Sequence, residues 1–169
     1  ERVPVLENMG FRVMDEQTYH LARGQDEAWL HDMVLDAGEG STVDIAVFKE
    51  RLETAFSMVM GGAAENDGYN ALVLKAGLGW REVALIRAIS RYLRQIRVPY
   101  SQDYMWSTLR HHAAVAAKIV ALFDARFDPH AAADDRRARQ DAIVSEIETA
   151  LQAVESLDED RIIRRFVNA

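Results

Sequence analysis

The spacing of apolar residues changes once along these 169 residues, and that change constrains the fold more than any other feature. The first forty residues or so read as short extended stretches divided by glycine-containing turns. From Val43 onward the apolar period is about 3.6, and Ile45, Phe48, Leu52, Ala55, Phe56 and Val59 fall on one helical face that ends at Gly61 and Gly62. A chain that switches period this way is expected to be α+β: a small antiparallel sheet with a helix, then a predominantly helical bundle.

Within the first part, Glu1 to Met9 reads as the tail of a helix closed by Gly10. Phe11 to Leu21 reads as a strand. Phe11, Val13, Tyr19 and Leu21 share one side of it, interrupted by Asp15 and Gln17. "ARGQDE", residues 22–27, is a loop, "AWLHDMVLDA" is the partner strand, and "GEGST" ends the pair. In the second part Asn66 or Asp67 caps a short helix through "YNALVLKA", closed by Gly77 and Gly79. The next helix carries a seam of Val83, Ile86, Ile89, Leu93 and Ile96. Pro99 forces a break, and Ser101 caps "QDYMWSTLRHH". After a bend at the histidines, "AAVAAKIVALFDARF" runs to Asp128-Pro129. The run from Ala131 reads as a linker into a long helix through about Glu155, with Ile143, Ile147, Ala150, Leu151 and Val154 inward.

The last helix begins at Ser156, three residues before Glu159, which is capping-box spacing. Its apolar stripe of Ile162, Ile163, Phe166 and Val167 needs a cover, and no stop signal follows. With Glu1 in place of a starting methionine, this is the pattern expected of a piece of a longer polypeptide.

Composition narrows the function classes. There are no cysteines, so disulfides, thiolate metal sites and cysteine nucleophiles are excluded; this fits the reducing cytoplasm. The net charge of −7 opposes nucleic acid as the main partner, and no apolar run has the length of a membrane span. No G-x-G-x-x-G, P-loop, nucleophile elbow or H-E-x-x-H appears.

The remaining candidates have ordinary structural readings. His20 and His31, with Asp32, would make a metal cluster only if the strand register joined them. His111 and His112 are adjacent, so a helix points them about 100° apart, and they read instead as a helix end. Arg87, Arg91 and Arg94 form a basic stripe expected to be consumed by neighbouring carboxylates or another domain. Glu65, Asp67 and Asp128 read as turn and cap residues, and Trp80, Trp106 and Tyr92 as core or interface residues.

Four phrases, in this order, carry a resemblance: "PVLENMGFRVMDEQTY", "ENDGYNALVLKAGLGWREVALIRAISRYLRQI", "LFDARFDP" and "SLDEDRIIRRFVNA". The chain resembles an internal, non-catalytic segment of the very large bacterial NAD-specific glutamate dehydrogenases. The resemblance implies that residues 1–62 are the end of the third amino-acid-binding ACT-like module. Residues 63–169 are then a helical bundle leading toward the catalytic domain. It implies NAD as the cofactor of the full-length enzyme, with none bound by this chain, and glutamate oxidised to 2-oxoglutarate and ammonia. No catalytic, cofactor-binding or metal-ligating residue is assigned here. The expected partners are the remainder of the polypeptide and a homo-oligomer of the enzyme, with no nucleic acid and no membrane. A self-contained helical interaction module is the alternative.

Overall fold

Helix α1 (Val3–Asn8) starts with Pro4 in its first turn, where a missing N–H costs nothing, and ends at Gly10, whose φ of +96° suits glycine. Phe11 N–H donates to the Leu6 carbonyl at 3.1 Å and Gly10 N–H to that of Glu7 at 2.9 Å, turning the chain into a hairpin. The computed structural model describes residues 2–38 and 45–169. The expected helix start at Val43 and the turn "GEGST" after Gly38 fall outside them.

The hairpin pairs β1 (Arg12–Arg23) with β2 (Asp26–Asp36), antiparallel, as a sheet of two strands. Its loop is shorter than the expected six residues. Ala22, Arg23, Asp26 and Glu27 belong to the ladder, leaving Gly24-Gln25, with Gly24 at φ +66° as a two-residue hairpin loop requires.

A bulge also overturns the expected strand face. The register steps from Val13 opposite Leu35 to Asp15 opposite Val34, so Met14 is the extra residue. Paired residues share a face, which puts Val13 with Leu35, Met33 and His31, and Tyr19 and Leu21 on the other side with Leu30 and Val34. Burial follows this division: Val13, His31, Met33 and Leu35 are half-buried, whereas Tyr19, Leu21, Leu30 and Val34 are exposed.

The helical part contains α2 (Ile45–Met60), a 3-10 turn (Gly68–Asn70), α3 (Ala71–Ala76), α4 (Trp80–Gln95), α5 (Gln102–His111), α6 (Ala113–Phe127), α7 (Ala133–Leu151) and α8 (Leu157–Val167). Helix α3 is central. Ala71, Leu72 and Val73 are buried, with α2, α4, α5 and α6 around it. The core continues through Val83, Ile86, Leu93, Met105, Leu109, Ile119, Leu122, Ile147, Ile162, Ile163 and Phe166.

Four boundaries differ from the sequence reading. Gly79 opens α4 instead of closing α3, its N–H donating to Glu82 Oε2 at 2.6 Å. Ile96, expected in the α4 seam, lies past the helix end and is exposed. The alanine-rich run after Pro129 is helical from Ala133, because alanine favours helix and Asp134 and Asp135 sit at the positive end of its dipole. That helix stops at Leu151, where i→i+3 bonds from Gln152, Ala153 and Val154 tighten the chain into a turn. No described helix is long and apolar enough to cross a membrane.

Candidate functional site

The basic stripe of α4 is consumed by neighbouring side chains, with Arg87 turned inward and Arg91 and Arg94 exposed. Arg87 is 5% exposed, and its guanidinium holds Asp67 bidentately, Nε to Oδ2 at 2.6 Å and Nη2 to Oδ1 at 2.9 Å. The same Nη2 donates to Asn70 Oδ1 at 2.9 Å, and Asn70 Nδ2 donates to the Glu65 carbonyl at 2.9 Å. Arg91 pairs with the Glu65 carboxylate and Arg94 with Gln102.

Asp67 also accepts from Tyr69 N–H at 3.1 Å, so one carboxylate caps the 3-10 turn and neutralises the buried arginine. Beside it the Tyr69 hydroxyl donates to Ser90 Oγ at 2.7 Å, and burial pushes its phenol above the usual range. Among the described residues, no buried side-chain N or O lacks a hydrogen-bond partner. Such a network orders a core and holds no group free to attack or abstract.

Trp106 lies half-buried over Gly68, edge-on to Tyr69 at 6.0 Å between ring centres. Trp80 is half-buried with the Arg81 guanidinium 4.6 Å over its ring, and Tyr92 is exposed. Asp128 accepts from His130 N–H at 2.9 Å and lies 3.8 Å from Arg139.

The hairpin keeps its histidines away from a shared ligand set. His31 Nδ1 lies 3.0 Å from both Glu16 Oε1 and Thr18 Oγ1, whereas His20 stacks on Trp29 with ring centres 4.4 Å apart. Asp32 pairs with Gln17 on the opposite face. The outward face presents Tyr19, Leu21, Leu30 and Val34.

The histidines at 111 and 112 behave differently from the expectation of divergence. His112, at φ −104° and ψ 50°, breaks the helix between α5 and α6, and the two rings come to 4.6 Å. Glu159, at the start of α8, meets both. Hydrogen bonding to His112 holds its carboxyl below the usual range; burial opposes this, and His111 adds to the lowering. Sequence reasoning missed this group because Glu159 lies 47 residues from His112 and 48 from His111, on another helix; the helix end expected at the histidines is present but says nothing of a partner.

An apolar groove of about 290 Å³ runs between α4, α6 and α8, lined by Leu85, Ile89, Tyr92, Phe123, Phe127 and Val167. Its one charged wall residue, Arg126, donates to the Val167 carbonyl at 3.0 Å.

Two family models match this arrangement: "Glutamate dehydrogenase, ACT3 domain" over residues 1–48, and "Glutamate dehydrogenase, helical motif 3" over residues 64–129. Relatives named NAD-specific glutamate dehydrogenase align along 98% of the chain. They are 42% identical in Pseudomonas aeruginosa, 36% in Halomonas elongata and 31% in Mycobacterium tuberculosis. The chain belongs to the glutamate dehydrogenase family. It spans about a tenth of the length of these relatives: 10%, 10% and 11%. The ACT3 match covers α1 and the hairpin of this glutamate dehydrogenase segment, and the helical-motif match runs from before the Asp67–Arg87 network through α6.

Proposed function

We propose that this chain is a non-catalytic scaffold and regulatory segment of an NAD-dependent glutamate dehydrogenase. That enzyme oxidises glutamate to 2-oxoglutarate and ammonia in the cytoplasm, with NAD held elsewhere in the polypeptide. The carrying observation is the hairpin. Among the described residues two long strands pair only with each other and carry an apolar outer face, an arrangement marginal in water alone, and they lie in the segment that matches the ACT3 model. In this reading residues 1–62 complete an ACT-like module with strands from the rest of the polypeptide. An amino acid bound there shifts the hairpin, and the bundle of residues 63–169 passes the shift toward the catalytic part. The remainder of the same polypeptide is the chief partner, within a homo-oligomer that binds neither nucleic acid nor membrane.

The test uses the full-length enzyme beside this chain at equal molarity. Glutamate-dependent NAD reduction is expected in the former and absent in the latter. Titrating amino acids into the full-length enzyme should release or absorb heat and change its activity. Neither response would leave scaffolding alone, and an inactive full-length protein would overturn the dehydrogenase reading in favour of an interaction module.

A further inference from the structure

The α5–α6 elbow and the first turn of α8 bring together three side chains with the chemistry of a metal site. His111 closes α5, His112 stands at the break, and Glu159 is the third residue of α8. Glu159 Oε1 lies 3.4 Å from His111 Nδ1, and Oε2 lies 3.0 Å from His112 Nε2. All three ligand atoms fall within 4.8 Å of one another, the only such group among the described residues. Ligand atoms bound to one tetrahedral zinc, each about 2.0–2.1 Å from it, stand roughly 3.3 Å apart. The observed separations therefore need only small side-chain movements to close around an ion.

The neighbours leave the three residues free for this. Asp158 accepts from the Tyr100 hydroxyl at 3.1 Å, and Asp160 is held by Arg164 Nε at 3.0 Å. Ser156 Oγ takes the Glu159 backbone N–H, but the Glu159 carboxylate does not return to Ser156 as a reciprocal capping box would; it turns to the histidines. His112 and Glu159 have side chains only 17% exposed, whereas His111 is 71% exposed, which gives an ion a way in and a place for water as a fourth ligand.

We propose that His111, His112 and Glu159 form a binding site for a first-row divalent transition metal, zinc(II) above all, that pins the α5–α6 elbow to the start of α8. Two imidazoles and one carboxylate suit zinc, nickel and copper, whereas magnesium and calcium demand more oxygen ligands. The site is independent of the dehydrogenase reading, because binding is measured on this chain without any activity.

The experiment titrates the chelator-stripped chain with zinc chloride, and with cobalt(II) chloride as a visible-absorbing substitute, and follows thermal unfolding in parallel. One equivalent is expected per chain, with an unfolding midpoint that rises with zinc and does not move with magnesium. His111→Ala changes a mostly exposed residue and should keep the apo unfolding midpoint while weakening zinc binding about tenfold or more, since even outer-shell partners are worth that much. Glu159→Gln should weaken zinc binding likewise, with some loss of apo stability because the histidines stabilise its carboxylate, and the double variant His20→Ala/His31→Ala should bind as the parent does. Absence of saturable zinc binding, binding that survives both His111→Ala and Glu159→Gln, or binding lost with the hairpin histidines would each overturn the proposal.

Discussion

Asp67 is a single side chain with two structural duties, and its removal strips both. It neutralises Arg87 and caps Tyr69 N–H. Asp67→Ala would leave a buried guanidinium without its bidentate partner, and loss of one member of a buried pair costs about 3–5 kcal/mol. Arg87→Met leaves a carboxylate that still has the Tyr69 N–H and some contact with water, so its cost should be clearly smaller. Urea unfolding of the two variants decides this, and equal losses would contradict it. Asp36 works at the base of the hairpin with weaker leverage. Its carboxyl is held below the ordinary 3.8, first by the Gly38 N–H and then by Arg12, whose Nη2 lies 2.8 Å away. A carboxyl depressed in the folded state adds stability above its unfolded value and loses it as the pH falls through the folded one. Protection of the Gly38 amide against hydrogen exchange should therefore fall on acidification below the usual carboxylate range. In Asp36→Asn that dependence should vanish.

Elements were legible from sequence where their signals are local. The Asp67 and Ser101 caps, the Pro99 break and the Asp128-Pro129 end are all written in adjacent residues; the structure places the caps and the Asp128 end at helix boundaries and Pro99 in the gap between α4 and α5. The bulge at Met14 was not legible, because it is a property of the register with β2 and moves Val13 to the inward face without changing the composition of β1. The convergence of His111 and His112 on Glu159 was hidden for the same reason. The bend at the histidines was expected and is present, but the direction in which it turns the two rings and their partner from another helix are not written in adjacent residues. The end of α4 is a third case. Val98 N–H donates to the Leu93 carbonyl and Arg97 N–H to that of Arg94, both at 3.0 Å, with Arg97 itself at φ +60°. This is the closure that Gly10 gives α1, here made by a residue with a Cβ. The side chain of Arg97 is exposed, so Arg97→Gly should relieve the left-handed strain at little cost in contacts. A gain of up to about 1 kcal/mol is expected, less than the 1–2 kcal/mol strain because glycine loses more entropy on folding. A variant less stable than the parent would mean that the turn is unstrained.

At the scale of the molecule, the hairpin and the bundle solve the problem of apolar surface in opposite ways. The bundle closes its own core around α3, whereas the hairpin shows Tyr19, Leu21, Leu30 and Val34 to water. Monomeric domains seldom leave such a patch uncovered, and a two-stranded ribbon gains little stability by itself. If the remainder of a glutamate dehydrogenase covers that face, the effect of a charge placed there depends on the context in which it is measured. Leu30→Lys with Val34→Lys replaces side chains that are 54% and 58% exposed. In this chain alone the pair should shift unfolding by no more than about 0.5 kcal/mol, the range of ordinary surface changes. In the full-length enzyme the same pair would bury two lysines against an apolar partner, at a cost of several kcal/mol, and blunt any response to amino acids. Parallel unfolding of the chain and the full-length enzyme reads the difference directly. A large loss in both would mean that the bundle already covers this face, and a small loss in both would mean that nothing in the enzyme does.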